Sequence, residues 1–193
     1  MIRETLQKVI EQTILVLQRG GVILYPADTI WGIGCDASQK EAIKRVYEIK
    51  GRAYDKPLIV LVSDVTQLYE VAASVHPRVD TLLHYHERPL TVIYPKAKEP
   101  YKHLAAPDGT IAIRVVKYGF CHDLIEAFGK PLVSTSANLA GTVSPLKFGS
   151  ISSEIISNVD YALPAFTEKD LSGAPSVIAR YDENGELDFI RMN

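Results

Sequence analysis

Cysteine is almost absent: Cys35 and Cys121 are the only two in 193 residues. Two widely spaced thiols make neither a disulfide framework nor a zinc site, and a reducing, cytoplasmic setting is the default expectation. No run of about 18 apolar residues occurs, so no membrane-spanning helix is expected. Met1-Ile2-Arg3-Glu4 lacks the basic stretch and apolar core of a secretory leader. Excess positive charge is missing too. The chain carries 21 basic and 23 acidic residues, a net charge of −2, which argues against a globally basic nucleic-acid coat. Neither G-x-G-x-x-G nor the Walker A pattern G-x-x-x-x-G-K-[ST] is present, so a bound nucleotide must be held by another route. The five histidines form no metal-ligand spacing; His84 and His86 stand at i, i+2 on an expected helix and diverge. The composition is otherwise that of a globular domain, 47% hydrophobic and 23% charged, and the length suits one domain spanning 1–193.

The charge that is present is unevenly placed. Between Lys40 and Lys56 there are six basic residues against three acids; from Glu154 onward, eight acids against three bases. A local basic patch on a near-neutral protein suits a phosphate-bearing molecule or one face of an RNA.

Leu6, Val9, Ile10, Thr13, Ile14 and Leu17 follow helical spacing and predict an amphipathic helix over 3–19. Short apolar strands are expected at 22–25, 58–62, 90–94, 110–116 and 132–135. Ser38 with Glu41 reads as a capping box opening a helix that runs to about Lys50. Helices are also expected at 64–73, 77–86, 118–128 (closed by Gly129) and near 150–157. The segments 177–181 and 187–191 form a hairpin around Asp182-Glu183-Asn184-Gly185. This alternation predicts an α/β fold: a single-domain, twisted mixed β-sheet flanked by helices.

Four segments could carry chemistry. Tyr25 through Gly34 reads as a loop after the first strand, offering Asp28 and Thr29 and two glycines that admit a ligand to the backbone; a turn packed under Trp31 is the alternative. Lys50, Arg52 and Lys56 cluster at a helix-to-strand junction, where lysine supplies a mobile charge and arginine a planar fork for phosphate; a solvated helix end would look the same. Ser134-Thr135-Ser136-Ala137-Asn138 ends a strand in hydroxyl and amide groups, fit for an anion or for a helix cap. Arg114 stands in the apolar strand Ile111–Val115, where a guanidinium is costly unless paired with an anionic ligand or a protein carboxylate. No nucleophile or strong general base is evident, since no G-x-S-x-G elbow surrounds Ser136.

Taken in order, Pro26-Ala27-Asp28-Thr29-Ile30-Trp31-Gly32-Ile33-Gly34, Lys50-Gly51-Arg52 with Lys56-Pro57-Leu58, Arg88-Pro89-Leu90-Thr91, Thr110 through Arg114, and Ser136-Ala137-Asn138 resemble the YrdC-like family of L-threonylcarbamoyladenylate synthases. The resemblance spans about residues 5–191 and is to the family's short, single-domain form. It implies the YrdC-like fold and a nucleotidyltransferase that makes threonylcarbamoyl-AMP and pyrophosphate from L-threonine, bicarbonate and ATP. ATP would come with Mg²⁺, and no protein side chains are assigned to the metal. The product would serve the modification of tRNA adenosine 37 by downstream transferases. Carried over residue by residue, Thr29, Arg114, Ser134 (through its backbone) and Ser176 would bind threonine. Lys50, Arg52, Lys56, Thr110, Ser136, Asn138, Ser144 and Arg191 would contact ATP, with Lys50 and Arg52 catalytic. Ala27 stands for the usual Thr and Trp31 for Tyr. Leu61 stands for a His that contacts threonine in long-form members, and Ala174-Pro175 for Val-Glu. A non-catalytic paralogue binding tRNA, double-stranded RNA or the ribosome is the alternative function; the intact K-x-R and S-x-N signatures favour the enzyme.

Overall fold

The computed structural model describes residues 2–54 and 56–192. Helix α1 (Ile2–Gln18) buries Val9, Thr13 and Leu17, as its spacing predicts. Strand β1 (Ile23–Pro26) then turns through residues 27–30 into β2 (Trp31–Asp36), and the two pair antiparallel with Tyr25 opposite Gly32. The segment expected as a loop from Tyr25 to Gly34 is therefore half strand. All six residues of β2 are buried, so the alternation that marks a half-exposed strand is missing, and two glycines disguise it further.

The glycines have a packing reason. A Cβ on Gly34 would lie 2.4 Å from the Val133 carbonyl oxygen and 2.8 Å from Tyr25 Cε1. Gly34→Ala should lower the unfolding free energy by ~1–3 kcal/mol, the usual penalty of overpacking, read as a shifted urea midpoint. An unshifted midpoint would mean the β2 backbone can move aside.

The capping box is also corrected. Ser38 Oγ donates to Asp36 Oδ1 at 2.6 Å, and Gln39, without a side-chain cap, precedes α2 (Lys40–Lys50). An acceptor two residues back, inside β2, captures the hydroxyl before the helix can use it. The rest of the chain supplies β3 (Ile59–Val62), α3 (Val65–Val71), α4 (Pro77–Tyr85), β4 (Leu90–Tyr94), β5 (Ile111–Val115), α5 (Gly119–Phe128) and β6 (Leu132–Ser136). It ends with α6 (Ser153–Asn158), β7 (Tyr161–Ala162), β8 (Val177–Tyr181) and β9 (Leu187–Arg191). Gly51 and Gly129 close α2 and α5 in the left-handed conformation, at φ 59° and 72°. The two-residue β7 and three short 3₁₀ segments carry no periodic signal and were not expected.

The strands form one nine-stranded sheet, ordered β7-β1-β2-β6-β3-β5-β4-β8-β9. It is mixed: β1 with β7, β3 with β5 and β4 with β8 are parallel, and the remaining neighbours antiparallel. Helix α5 packs on α1 and against β1 and β3, α2 on β2, and α3 on β3 and β5. Ile33, Val60, Leu61, Ile113, Leu124 and Leu132 are fully or almost fully buried between these layers. Among the described residues no helix is long and apolar enough to cross a membrane.

Candidate active site

Residues opposite one another in a sheet share a face. Gly32 faces Ser136, Gly34 faces Ser134, Ser134 faces Ile59, and Ile59 faces Ala112. Ala112 faces Ile93, Arg114 faces Thr91, Thr91 faces Ile178, and Ile178 faces Arg191. One side of the sheet thus carries a floor of small residues in the middle, with guanidinium groups toward β5 and β9. A cavity of about 320 Å³ lies over it. Thr29, Arg52, Arg114, Ser134, Ser136, Ser144, Ser176 and Arg191, all anticipated from the sequence, line this cavity.

Arg114 is almost wholly buried, and it already has a carboxylate. Its Nη2 lies 2.8 Å from Asp28 Oδ1, each side chain being 5% exposed. The protein carboxylate left open as a partner in the sequence is therefore present. The contact is close but poorly aligned: Asp28 Oδ1 and Arg114 Nε are both buried without a hydrogen bond. Nη2 also reaches Thr29 Oγ1 at 3.5 Å. The pair neutralises the charge while leaving a donor at the cavity unspent.

Arg191 comes from the last strand. Its Nε and Nη2 donate to the Ser176 carbonyl at 3.0 and 2.7 Å, and Nη2 reaches Ser176 Oγ at 3.3 Å. Burial, and then the charge of Arg114, lower the Arg191 pKa. Two guanidiniums that sense one another at one cavity form a site for anions. Ser176 Oγ is also 2.8 Å from Thr91 Oγ1, a fully buried hydroxyl for which the sequence suggested no role. The segment before Ser176 is strapped to the β1–β2 turn: Ser172 N donates to the Asp28 carbonyl and Gly173 N to that of Thr29, both at 3.0 Å. Trp31 is pinned in the wall, its Nε1 donating to Glu168 Oε2 at 2.6 Å and its ring 5.1 Å from that of Phe148.

Lys50 is placed differently from its expected role. It is 3% exposed and lies beneath the lining. Its Nζ donates to the carbonyl and Oγ of Ser136 at 2.6 and 3.1 Å, and to the carbonyl and Oδ1 of Asn138 at 2.8 and 3.1 Å. Four protein oxygens occupy an ammonium with three protons, so in this arrangement Lys50 works on the loop, not on a ligand. Burial, then the nearby Arg52, lower its pKa to about 8. Ser144 Oγ donates to Asn138 Oδ1 at 3.3 Å and joins the same network.

The expected basic trio does not converge as a unit. Arg52 lines the cavity, while its Nε and Nη2 bind the carbonyls of Lys56 and Pro57 at 3.3 and 3.0 Å. The Lys56 side chain is exposed and outside the lining. Thr110 is also outside it, with its hydroxyl donating to Asp108 at 2.6 Å. Arg52→Ala should reduce ATP affinity or turnover at least about tenfold, each charge-assisted bond being worth ~1.5–3 kcal/mol. The melting temperature should barely move, because the residue sits in a loop. Wild-type-like activity in the purified variant would remove Arg52 from the site.

No cluster of three or more His, Cys, Asp or Glu side chains able to hold a metal occurs among the described residues. The carboxylate nearest the arginines, Asp28, is committed to Arg114. The described residues of this cavity thus offer no carboxylate cluster fit to hold a metal ion.

Residues 15–192 match the Sua5/YciO/YrdC family, described as telomere recombination. The chain belongs to this family. A threonylcarbamoyl-AMP synthase of Pseudoalteromonas translucida is 33% identical over 178 residues, covering 89% of this chain and 92% of the relative. One from Xanthomonas campestris pv. campestris is 34% identical over 157 residues, covering 80% and 84%. Among solved structures, Pyrococcus abyssi Sua5 complexed with L-threonine superposes with a TM-score of 0.75 at 23% identity, over 89% of this chain and 50% of Sua5. The chain thus spans half the length of that protein, and the likeness is one of fold. Within the family fold, Thr29, Arg52, Arg114, Ser134, Ser136, Ser144, Ser176 and Arg191 line one cavity, Lys50, Lys56, Thr110 and Asn138 lie outside its lining, and Leu61 lies opposite Arg114 in the sheet register.

Proposed function

We propose that the chain is a threonylcarbamoyl-AMP synthase, forming threonylcarbamoyl-AMP and pyrophosphate from L-threonine, bicarbonate and ATP. The observation that carries this reading is the cavity on which Arg52, Arg114 and Arg191 converge with the hydroxyls of Thr29, Ser136, Ser144 and Ser176. Such a lining suits a polyphosphate and an amino-acid carboxylate, and the curated relatives bear that name at 33–34% identity.

In this reading Arg114 turns its spare Nε toward the threonine carboxylate, with Thr29, the Ser134 backbone and Ser176 around the amino acid. The threonine amine adds to CO₂ from bicarbonate and loses a proton, giving a carbamate. A carbamate oxygen attacks the α-phosphorus of ATP, and the bond to the β-phosphate oxygen breaks to release pyrophosphate. Charge neutralisation and positioning carry most of such a step. Arg52, Arg191, Ser136 and Ser144 meet the nucleotide. Lys50 acts as a positioning residue, holding Ser136 and Asn138. Lys56 and Thr110 would touch ATP only where it extends beyond the cavity. Mg²⁺ belongs to the substrate as MgATP. The product would pass to transferases acting on tRNA adenosine 37, and a cytoplasmic setting suits these substrates.

Pyrophosphate release tests the reading. It should require both threonine and bicarbonate, and its absence would leave the non-catalytic RNA-binding alternative. Threonine should be preferred to its near-isostere valine by about 10²-fold, because valine cannot join the buried hydroxyl network of Thr29, Thr91 and Ser176. Leu61 in place of a polar contact keeps the preference well below the ~10⁴ such sites can reach. Equal release with valine would refute the pocket as assigned.

A further inference from the structure

A second groove, about 340 Å³ in volume, is lined by Tyr54 and Pro57 together with α2 and residues 103–106. Pro57 lines both this groove and the main cavity. One wall is a single face of α2: Lys40, Ile43, Lys44 and Tyr47 follow i, i+3, i+4, i+7 spacing. Tyr54 and His103 contribute from outside the helix. Among the described residues its lining holds two lysines and a histidine and no acidic side chain. Lys40 and Lys44 are exposed, and among the described residues neither is ion-paired. Glu99 lies near enough to Lys40 to feel its charge, but its carboxylate is 2.8 Å from Lys102 Nζ. The Tyr47 and Tyr54 rings are 4.8 Å apart, and Tyr54 is 60% exposed. A large aromatic left in water beside free lysines is not explained by folding. The synthase reading uses none of these side chains.

We propose that this groove is a second nucleotide site, in which a planar base stacks on Tyr54 and its phosphate is met by Lys40 and Lys44. Paired aromatic rings select a flat ring system, and lysines on flexible stems neutralise a phosphate without demanding one geometry. Both ring nitrogens of His103 already lie against the Pro100 and Ala37 carbonyls, at 2.9 and 3.0 Å, and the Tyr47 hydroxyl donates to the Lys56 carbonyl, so these groups are not free to read a base edge and the site should tolerate any base. The volume falls within the range of roughly 300–1,000 Å³ typical of small-molecule sites. Free nucleotide and a unit of single-stranded RNA share this chemistry. Because Pro57 belongs to both walls, a bound nucleotide would also bear on the loop that carries Arg52.

Binding of uridine monophosphate and of a uridine hexaribonucleotide should be measured on the full chain, in the wild type and in Arg52→Ala, which weakens the main cavity and not the groove. Lys44→Glu and Tyr54→Ala, both at exposed positions, should each weaken binding at least about tenfold. Tyr54→Phe should retain it, and the melting temperatures should match wild type. Equal affinity for the two ligands identifies a free nucleotide; a hexamer at least about tenfold tighter, and more sensitive to salt, identifies RNA. Ultraviolet crosslinking should mark the peptide carrying Tyr47 or Tyr54. Loss of all binding in Arg52→Ala, or wild-type binding by both disruptive variants, would overturn the proposal. So would an acidic hexapeptide that binds as well as the RNA and is weakened equally by both variants, which would show only an anionic patch receptor.

Discussion

Arg114→Met should destabilise the free protein by ~3–5 kcal/mol, because it strands the Asp28 carboxylate in a site where both partners are 5% exposed. Urea unfolding without ligand measures this loss. A second change in the same chain, Asp28→Asn, should recover much of it by removing the orphaned charge, and the two single losses should therefore not add. The ligand response is separable. Threonine at 100 times its Kd should stabilise the wild type by about 2.7 kcal/mol, and the double variant should lose that response while keeping the one to ATP. A single variant as stable as wild type would show that water already reaches Asp28. A threonine response surviving in the double variant would confine Arg114 to a structural role.

Lys50→Met should cost about 2–4 kcal/mol and most of the activity together. Each charge-assisted bond is worth ~1.5–3 kcal/mol, and the change leaves the Asn138 carbonyl without the ammonium and the Ser136 carbonyl with only the Asn138 N–H. Relief of the cost of burying the ammonium offsets part of this loss. The contrast with Arg52→Ala, which should lose activity and keep stability, distinguishes a group under the site from one in it. Lys50 also sets a pH signature. Its folded pKa of about 8 lies below the 10.5 of an unperturbed lysine. The unfolded chain therefore holds more protons between those values, and wild-type stability relative to Lys50→Met should rise with pH across that window. Below about pH 8 the difference should be flat. A difference that stays flat up to pH 10.5 would mean that the four surrounding oxygens outweigh burial and hold the ammonium charged.

Much of this site was readable before any geometry. Thr29, Arg52, Ser136 and Arg114 stood out as polar groups in a loop, a basic cluster, a strand end and an apolar strand, Ser176 and Arg191 only through the family resemblance, and all six line the cavity. The terminal hairpin and the α2 end at Gly51 were legible because turn residues and left-handed glycines are local signals. What escaped was pairwise and distant. Nothing near Arg114 in sequence points to Asp28, and nothing near Ser176 points to Thr91. Lys50 reads as a phosphate ligand because its two shortest bonds go to backbone carbonyls, which every residue possesses and no sequence pattern advertises. Strand β2 was hidden by its own burial, since a strand covered on both faces does not alternate.

The contacts that shape the cavity join residues far apart along the chain: 86 positions for Lys50 and Ser136, 85 for Arg114 and Thr29, and 85 for Thr91 and Ser176. Each closes a long loop, whose entropy must be overcome before the contact gives anything back. No local fragment of the chain can therefore hold a partial version of the site, and the ability to bind ligand should emerge late in folding, with completion of the sheet. Ligands that engage these side chains then stabilise the whole sheet at once, and amide exchange in strands as distant as β2 and β8 should slow together when the cavity fills.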